Sequence, residues 1–290
     1  MSYDLYLQPR GGSLDQIRAH FQSRPNYNLT ESEALYENQA TGVYFSFWLK
    51  DESMAFNLNY FRPHVFALEA ETELTALIER FELGISDPQS EGMGDGPYSP
   101  EGFLHGWNAG NRFAHRAFAQ EMKPADLRTL PTRALFEVWN WNFLKPIYED
   151  LLCSIEMTVG FVPTIVLLET AREPGRVITA VIWADAMPIA LPHVDHVLVA
   201  GELAPMGPTL VPFAQIAPLL STYPKRQGHR FTLDMEREVA LHHIMVDHDE
   251  PPPGLISDLR ALVAGRIPEE LSRIGIDQVL DRELVFGKKD

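Results

Sequence analysis

The sequence is short of cysteine and of positive charge, and each shortage excludes a class of protein. Cys153 is the single cysteine among 290 residues, so an intramolecular disulfide and a zinc site with four cysteine ligands are both excluded. Lysine and arginine number 24 against 40 acidic residues, which gives a formal net charge of −16. Nucleic acid and anionic membranes are therefore not expected as partners, because phosphate binding needs basic residues at the surface.

Long hydrophobic runs and export signals are also lacking. No apolar run approaches the roughly 20 residues needed to cross a bilayer. The first six residues have neither the basic region nor the apolar stretch of a signal peptide. We therefore expect a cytoplasmic protein.

The common catalytic and nucleotide-binding patterns are missing as well. The sequence contains no Gly-x-Ser-x-Gly motif, which marks the nucleophile of many hydrolases. The glycine-rich segment 92–96 lacks the Lys-Ser/Thr ending of a phosphate-binding loop and the final spacing of a dinucleotide fingerprint. It predicts an ordinary loop, and no cofactor is expected.

Acidic residues are concentrated in the N-terminal half. From Glu31 to Glu101 there are fourteen acidic residues against three basic ones, a net charge of −11. Such a surface can serve solubility alone, and it can also favour and steer a basic protein partner. The candidate contacts for a partner flank a predicted strand–helix unit and are Asp51, Glu52, Glu69, Glu71 and Glu73.

The pattern of residues 1–88 predicts an α+β fold. Runs rich in aromatic and β-branched residues indicate strands at 3–7, 34–37, 43–49, 55–61, 65–69 and 83–86. A capping box at Ser13 and Gln16 starts a helix over 13–24, and a second helix begins at Thr72. Helices on one face of an antiparallel sheet favour a ferredoxin-like variant with an extended hairpin. Its predicted core is Phe45, Phe47, Leu58, Leu68, Leu77 and Phe81.

The rest of the chain divides into three further predicted parts. The Gly/Pro-rich segment 89–102 is either a flexible tether or an ordered connecting loop, and order is favoured because Met93 and Tyr98 would be left in water on a free linker. Residues 103–225 form a second, smaller α+β domain. Residues 226–290 form a mainly helical region that packs on the second domain, with one helix opened by Pro268.

Two clusters of histidine and aspartate are candidates for a metal site. The first consists of His193, Asp195 and His196, although strand alternation would send His196 to the opposite side from the other two. The second consists of His242, His243 and Asp247, in which His243 and Asp247 have the i, i+4 spacing of a helical ligand pair. Ordinary polar positions in loops and at a helix end are the favoured explanation of both clusters.

Three short motifs in the N-terminal part carry a resemblance to known proteins. They are the opening Ser2-Tyr3-Asp4-Leu5-Tyr6, the run 41–45 and the run 57–64. Together they resemble a group of uncharacterised bacterial cytoplasmic proteins that includes some immunity proteins of toxin systems. The resemblance implies a bacterial source and an immunity or other binding role, and it carries no catalytic residue.

Three hypotheses of function follow from the sequence. The first is a non-enzymatic protein-binding module, most concretely a bacterial immunity protein that neutralises a toxin through an acidic surface. The second is a metal-dependent hydrolase that uses one of the His/Asp clusters. The third is a regulatory small-molecule binder with its pocket between two α+β halves, since clefts between domains are common ligand sites.

Overall fold

The computed structural model describes residues 1–10, 13–50, 53–89, 91–123, 127–154, 161–220, 243–246 and 250–287. The chain forms two compact units. Unit 1 consists of residues 1–135 and 275–290, and unit 2 consists of residues 136–274. These units have boundaries different from the ranges predicted above, because the chain returns to unit 1 at Gly275. No helix within the described ranges is both long enough and apolar enough to cross a membrane.

The helices and strands alternate irregularly along the chain. The first half contains β1 (Ser2–Gln8), α1 (Leu14–Ser23), β2 (Tyr27–Leu29), β3 (Glu33–Asn38), β4 (Val43–Lys50), β5 (Ser53–Asn59), α2 (Val65–Phe81), β6 (Gly84–Ser86), α3 (Pro100–Glu121), β7 (Thr129–Leu130) and α4 (Thr132–Ser154). The second half contains β8 (Val166–Thr170), β9 (Val177–Ala184), β10 (Ile189–Pro192), β11 (His196–Ala200), β12 (Thr209–Pro212), α5 (Phe213–Leu220), β13 (His243–Val246), α6 (Pro253–Val263), β14 (Leu271–Ile274), β15 (Leu280–Asp281) and α7 (Arg282–Phe286).

Unit 1 is built on a six-stranded antiparallel sheet with the order β2-β3-β4-β5-β1-β6. Strands β5 and β6 lie on either side of β1 and are joined through α2, which is the split βαβ arrangement of ferredoxin-like folds. Strands β2 and β3 extend that sheet. The α+β prediction is therefore confirmed, with β2 as a strand that the sequence pattern did not indicate.

Three helices cover one face of this sheet. Phe21 of α1 packs on Phe47 of β4 with the ring centroids 5.1 Å apart, and Phe103 of α3 lies 5.6 Å from Tyr3 of β1. Helix α2 contacts β4 and β5. Alternation along the strands sends Phe45, Phe47 and Leu58 into this layer. The opposite face of the sheet carries no helix from the described part of unit 1 and is called here the open sheet face.

A row of glycines lets α3 approach the sheet closely. Gly102, Gly106 and Gly110 recur every four residues and therefore lie on one face of the helix. A Cβ atom placed on Gly106 would lie 2.6 Å from the hydroxyl oxygen of Tyr3, and one placed on Gly110 would overlap the ring of Tyr60. Both tyrosines therefore pack directly against the backbone of α3, which a larger residue would prevent.

The segment 65–69 is the beginning of α2 and not the strand that the sequence pattern predicted. Its buried residues recur with the helical period through Val65, Phe66, Ala70 and Leu74, whereas a short apolar run by itself does not separate a helix from a strand. The predicted cap, Thr72, lies on an exposed turn inside the helix. Of the predicted core, Leu68 and Phe81 are half-buried and the other four residues are buried.

The Gly/Pro-rich connecting loop is tied to unit 1 at both ends. The carboxylate of Asp87 accepts hydrogen bonds from the hydroxyl of Tyr3 and, at 2.8 Å, from the backbone N–H of Met93. Further along the loop, the hydroxyl of Tyr98 lies 2.9 Å from that of Thr75 on α2. Buried hydrogen bonds of this kind fix a loop that has few backbone bonds of its own.

Unit 2 contains a five-stranded sheet with the order β12-β11-β9-β8-β14 and a separate pair formed by β10 and β13. Among the described strands of the larger sheet, only β9 and β11 run parallel. Its core includes Leu168, Ile178 and Ala180. The helix predicted after Pro268 is instead strand β14, which pairs with β8. The described part of 226–290 thus mixes helices with strands and is not mainly helical.

Helix α2 provides a direct test of the buried layer. Replacing Leu77, which is 1% exposed, by alanine should lower the free energy of unfolding by about 2–5 kcal/mol, because both the transfer energy and a cavity are involved. The same change at half-buried Leu68 serves as the control and should cost about 1 kcal/mol. Urea denaturation measures both values. A loss below about 0.5 kcal/mol for Leu77→Ala would contradict the packing of α2.

The glycine row of α3 provides a second test. Alanine is favoured over glycine inside a helix by about 1 kcal/mol, so Gly110→Ala would stabilise an unobstructed helix. Here the added methyl group must displace Tyr60, and the variant should lose about 1–3 kcal/mol. Gly102→Ala is the comparison and should cost less, because its new methyl group meets the movable side chains of Met93 and Ser99 rather than a packed ring. A stabilised Gly110→Ala variant would show that Tyr60 does not rest on the helix.

Candidate protein-interaction surface

The open sheet face carries two exposed aromatic side chains, in a strand phase that also holds half-buried Leu35 and Tyr44 beside polar residues. Tyr6 of β1 is 52% exposed and Trp48 of β4 is 48% exposed. Both pair across the sheet with Ala55 of β5, which lies between them. Exposed aromatic residues on a regular strand are unusual enough to mark a surface that contacts another molecule.

The small side chain of Ala55 leaves a slot between the two rings. Since neighbouring strands are about 4.8 Å apart, the backbones of Tyr6 and Trp48 are separated by about 10 Å across Ala55. One partner side chain fits between them, with a ring on each side. The aliphatic stem and cationic head of a lysine or arginine suit such a slot, because aromatic faces attract cations.

Acidic side chains surround the aromatic slot. The carboxylate of Asp4 accepts a 2.6 Å hydrogen bond from the amide of Asn57 and a second from the hydroxyl of Ser2, so its position beside Tyr6 is fixed. Glu33 lies opposite Trp48 in the strand register, and its carboxylate has no partner among the described residues. Glu37 and Lys50 point outward at opposite ends of the face. Among the described residues, the face thus carries three acidic groups and Lys50, and the guanidinium of Arg62 is hydrogen-bonded to the hydroxyl of Tyr44, which belongs to the same strand phase.

The structure does not bring the five predicted acidic contacts to one surface. Asp51 and Glu52 lie outside the described residues. Glu69 is fully buried and accepts hydrogen bonds from the hydroxyl of Tyr36 at 2.8 Å and the amide of Asn38 at 2.7 Å. These bonds satisfy the carboxylate in the layer between α2 and β3, where no partner can reach it.

The other two predicted contacts on α2 are also engaged within unit 1. Glu71 is buried and accepts a hydrogen bond from Thr75. Glu73 forms a two-pronged ion pair with Arg24 at 2.6 and 2.9 Å and accepts a bond from Tyr27. The helical period turns these residues toward the sheet and α1, an orientation that a strand at 65–69 would not produce.

The predicted metal clusters do not form a site within the described ranges, where no three histidine, cysteine or acidic residues converge. His193 is exposed and rests edge-on against Phe213. The carboxylate of Asp195 accepts two 2.9 Å bonds from the backbone and hydroxyl of Thr179. Burial lowers the pKa of His196, whose Nδ1 has no partner among the described residues.

Of the second cluster, only His243 belongs to the described residues. The backbone of His243 belongs to β13 and pairs with Pro192 of β10, so it does not lie on the helix that the ligand spacing assumed. His242 and Asp247 lie outside the described residues.

A buried polar cluster surrounds Asp281, and the sequence pattern did not indicate it. The fully buried carboxylate accepts a 2.8 Å bond from the backbone N–H of His64 and lies 2.7 Å from Nδ1 of the same residue. His64 is the N-cap residue of α2, and its own side chain provides no capping bond. Asp281 therefore caps α2 through a residue that lies 217 positions earlier in the chain.

A second acidic residue of the C-terminal segment caps α4. The carboxylate of Glu283 accepts bonds from the backbone N–H and the hydroxyl of Thr132, at 2.8 and 2.7 Å. Burial would raise the pKa of Asp281, but its bonds with His64 outweigh that effect and the pKa is lowered. Negative charge at a helix N-terminus is also favourable because the helix dipole places partial positive charge there. The cluster thus fastens the end of the chain to two helices.

Two residues of α3 complete the cluster. The side chain of Asn111 accepts a 2.7 Å bond from the backbone N–H of Phe61 and donates a 2.8 Å bond to the carbonyl of Arg62. Fully buried His115 also contacts that carbonyl through Nε2, and burial lowers its pKa. These contacts hold Phe61 in a left-handed conformation with φ of 61°. These contacts account for the fixed loop before α2, and no catalytic role for Asn111 or His115 is needed to explain them.

Some of these features have a recognisable sequence signal. The strand phase places Trp48 with Ser46 and Lys50, and an aromatic residue in the polar phase of a strand is visible in the sequence itself. Helix α2 lacks a Ser, Thr, Asp or Asn at its N-cap, which indicates that the capping group comes from elsewhere. The identity of that group, Asp281, has no local signal.

Comparison with protein-family models, with curated proteins and with solved structures found no match.

Asp281 generates a prediction about pH. Because its folded-state pKa is lowered, the ionised carboxylate stabilises the native state above the ordinary aspartate pKa of about 4, and this stabilisation is lost as the pH falls from there through the folded-state pKa. Asp281→Asn should therefore cost about 1–3 kcal/mol at pH 7 and progressively less below pH of about 4.

Urea denaturation of the parent and the variant between neutral and strongly acidic pH measures this difference. Exposed Asp150→Asn, away from the first turn of α4, is the control, and its effect should stay small throughout. A cost for Asp281→Asn that does not change with pH would show that the charge of Asp281 does not stabilise the fold.

Proposed function

We propose that this chain is a non-enzymatic protein-binding module, whose open sheet face receives a basic segment of a partner protein. The observation that carries the proposal is the slot over Ala55, with exposed Tyr6 and Trp48 on its two sides. Aromatic residues of this kind supply most of the binding energy at protein interfaces. The acidic groups at Asp4, Glu33 and Glu37 select for positive charge.

The overall charge of the chain supports the same class of partner. A net charge of −16 accelerates the approach of a basic protein and slows that of an acidic one. In its most concrete form, the proposal is a bacterial immunity protein that covers the basic site of a toxin. A carboxylate-bearing face can occupy the positions that a nuclease offers to phosphate groups, and this occupation would block the toxin.

Site-specific photo-crosslinking tests the proposal. A photoreactive amino acid is placed at position 48 in one variant and at position 113 in another, since Phe113 on α3 is 67% exposed and lies away from the open sheet face. Both variants are irradiated in extracts of the source organism at low salt. We expect a basic protein to be captured at position 48 and not at position 113.

The captured protein is then purified and titrated against defined variants. Trp48→Ala should weaken binding about 30-fold, as expected for an aromatic residue at the centre of an interface. The double change Asp4→Asn and Glu33→Gln should mainly slow association and reduce its salt dependence. Phe113→Ala is the control. Equal capture at both positions, or unchanged affinity in Trp48→Ala, would overturn the proposal.

The hypothesis that the chain is an immunity protein is tested separately, by measuring cell growth. If the partner is a toxin, co-expression with the parent chain should restore growth of cells that produce it, and co-expression with Trp48→Ala should not. A captured partner whose production leaves growth unaffected would rule out the toxin assignment, while the binding results decide the wider proposal.

A further inference from the structure

Unit 2 contains a cavity that the open sheet face does not involve. Its volume is about 440 Å³, which lies within the range of roughly 300–1,000 Å³ typical of small-molecule sites. It is formed by the turn after β11, by β12 and by the C-terminal end of α6. Its lining includes Glu202, Ala204, Met206, Arg260 and Arg266.

Hydrogen bonds hold the walls of this cavity in place. The backbone N–H of Glu202 donates a 2.6 Å bond to the carboxylate of Asp185. The turn that follows is closed by a bond from the backbone N–H of Ala204 to the carbonyl of Gly201, and by another from Gly207 to Ala204. A cavity with fixed walls binds without paying the entropy of ordering them.

The cavity has an apolar body and two arginines at its edge. Arg266 is held by a 2.6 Å bond to the carbonyl of Leu262 and a 2.5 Å bond to the side chain of Gln215. Arg260 is exposed, and its guanidinium has no hydrogen bond or ion pair with any described residue. Glu202 is the one acidic residue of the described lining, and the carboxylate of Asp185 behind it accepts a hydrogen bond from the backbone N–H of Glu202.

The surface beside the cavity extends its apolar character. Met206 is 82% exposed and Ile267 is 75% exposed, the largest values among the described large hydrophobic residues of the chain. Met206 lines the cavity and Ile267 follows Arg266, which also lines it. Large hydrophobic side chains left in water cost solvation energy that a ligand with an apolar chain would recover.

We propose that this cavity binds a small amphipathic carboxylate, in which an aliphatic chain lies against the apolar lining and the carboxylate pairs with Arg260. The planar guanidinium of arginine matches a carboxylate with two parallel hydrogen bonds, which lysine does not provide. Arg266, already fixed by Gln215, adds positive charge without needing to move. The apolar side chains of Met206 and Ile267 cover the part of the chain that leaves the cavity.

Calorimetric titration with decanoate, kept below its micelle concentration, tests the proposal against decanol, which has the same chain and no charge. Decanoate should bind saturably, and decanol at least about tenfold more weakly, since a hydrogen-bonded charge contributes that much. Arg260→Gln should weaken decanoate binding by about the same factor and leave decanol unaffected. Arg176→Gln, at an exposed ion pair elsewhere in unit 2, is the control.

A double variant tests the apolar part of the proposed site. Met206→Ser combined with Ile267→Ser should weaken decanoate binding more than hexanoate binding, because only the longer chain reaches the exposed residues. Arg260 and Arg176 are charged and exposed, so thermal unfolding should remain unchanged in the arginine variants. Absence of saturable binding at about 1 mM decanoate, equal binding of decanol, or an equal loss in Arg176→Gln would each overturn the proposal.

The proposal is independent of the open sheet face. Trp48→Ala should leave decanoate binding unchanged, so a failure of one proposal does not affect the other.

Discussion

The architecture of unit 1 depends on the buried carboxylate of Asp281. An ionised group in such a place is costly unless several donors surround it, and here the backbone and side chain of His64 provide them. The same contact caps the N-terminus of α2, the helix that packs on the central strands β4 and β5. One carboxylate therefore joins the start of α2 to the C-terminal segment of the chain.

The placement of α1, α2 and α3 on the same face of the sheet has a direct physical consequence. An antiparallel sheet tolerates water on one side as long as its other side is packed, so the chain can leave the open sheet face uncovered. The strands of that face are held by the packed layer beneath them. A rigid surface loses little entropy when a partner binds, which makes the exposed Tyr6 and Trp48 more effective than the same residues on a mobile loop.

The sequence predicted what short-range patterns determine. The capping box at Ser13, the strand alternation of β1, β4 and β5, and the α+β class are all local properties, and the structure contains them. Prediction failed where a distant residue decided the outcome. The residue before α2 is bonded to Asp281, and strand β14 pairs with β8. Neither partner can be recognised from the residues around the segment that it orders.

The candidate surface shows the same division between local and distant effects. Acidic residues were correctly identified as abundant, but the choice of Glu69 and Glu71 failed because their orientation depends on a helix start set elsewhere. Trp48 could have been chosen from strand phase alone. Its neighbours Tyr6 and Ala55 required the strand order, because they belong to different segments that only the sheet brings together.

The discontinuity of unit 1 has a consequence for synthesis on the ribosome. Residues 1–135 emerge first, and the cap for α2 at Asp281 emerges only after the whole of unit 2 has been made. At about 5–20 residues per second, this interval lasts roughly 7–30 s. During that time the start of α2 lacks its acceptor and the aromatic layer beneath it is incompletely fastened. The nascent chain is therefore most exposed to chaperones and proteases in this interval, and prompt folding of unit 2 shortens the loop whose ends must meet.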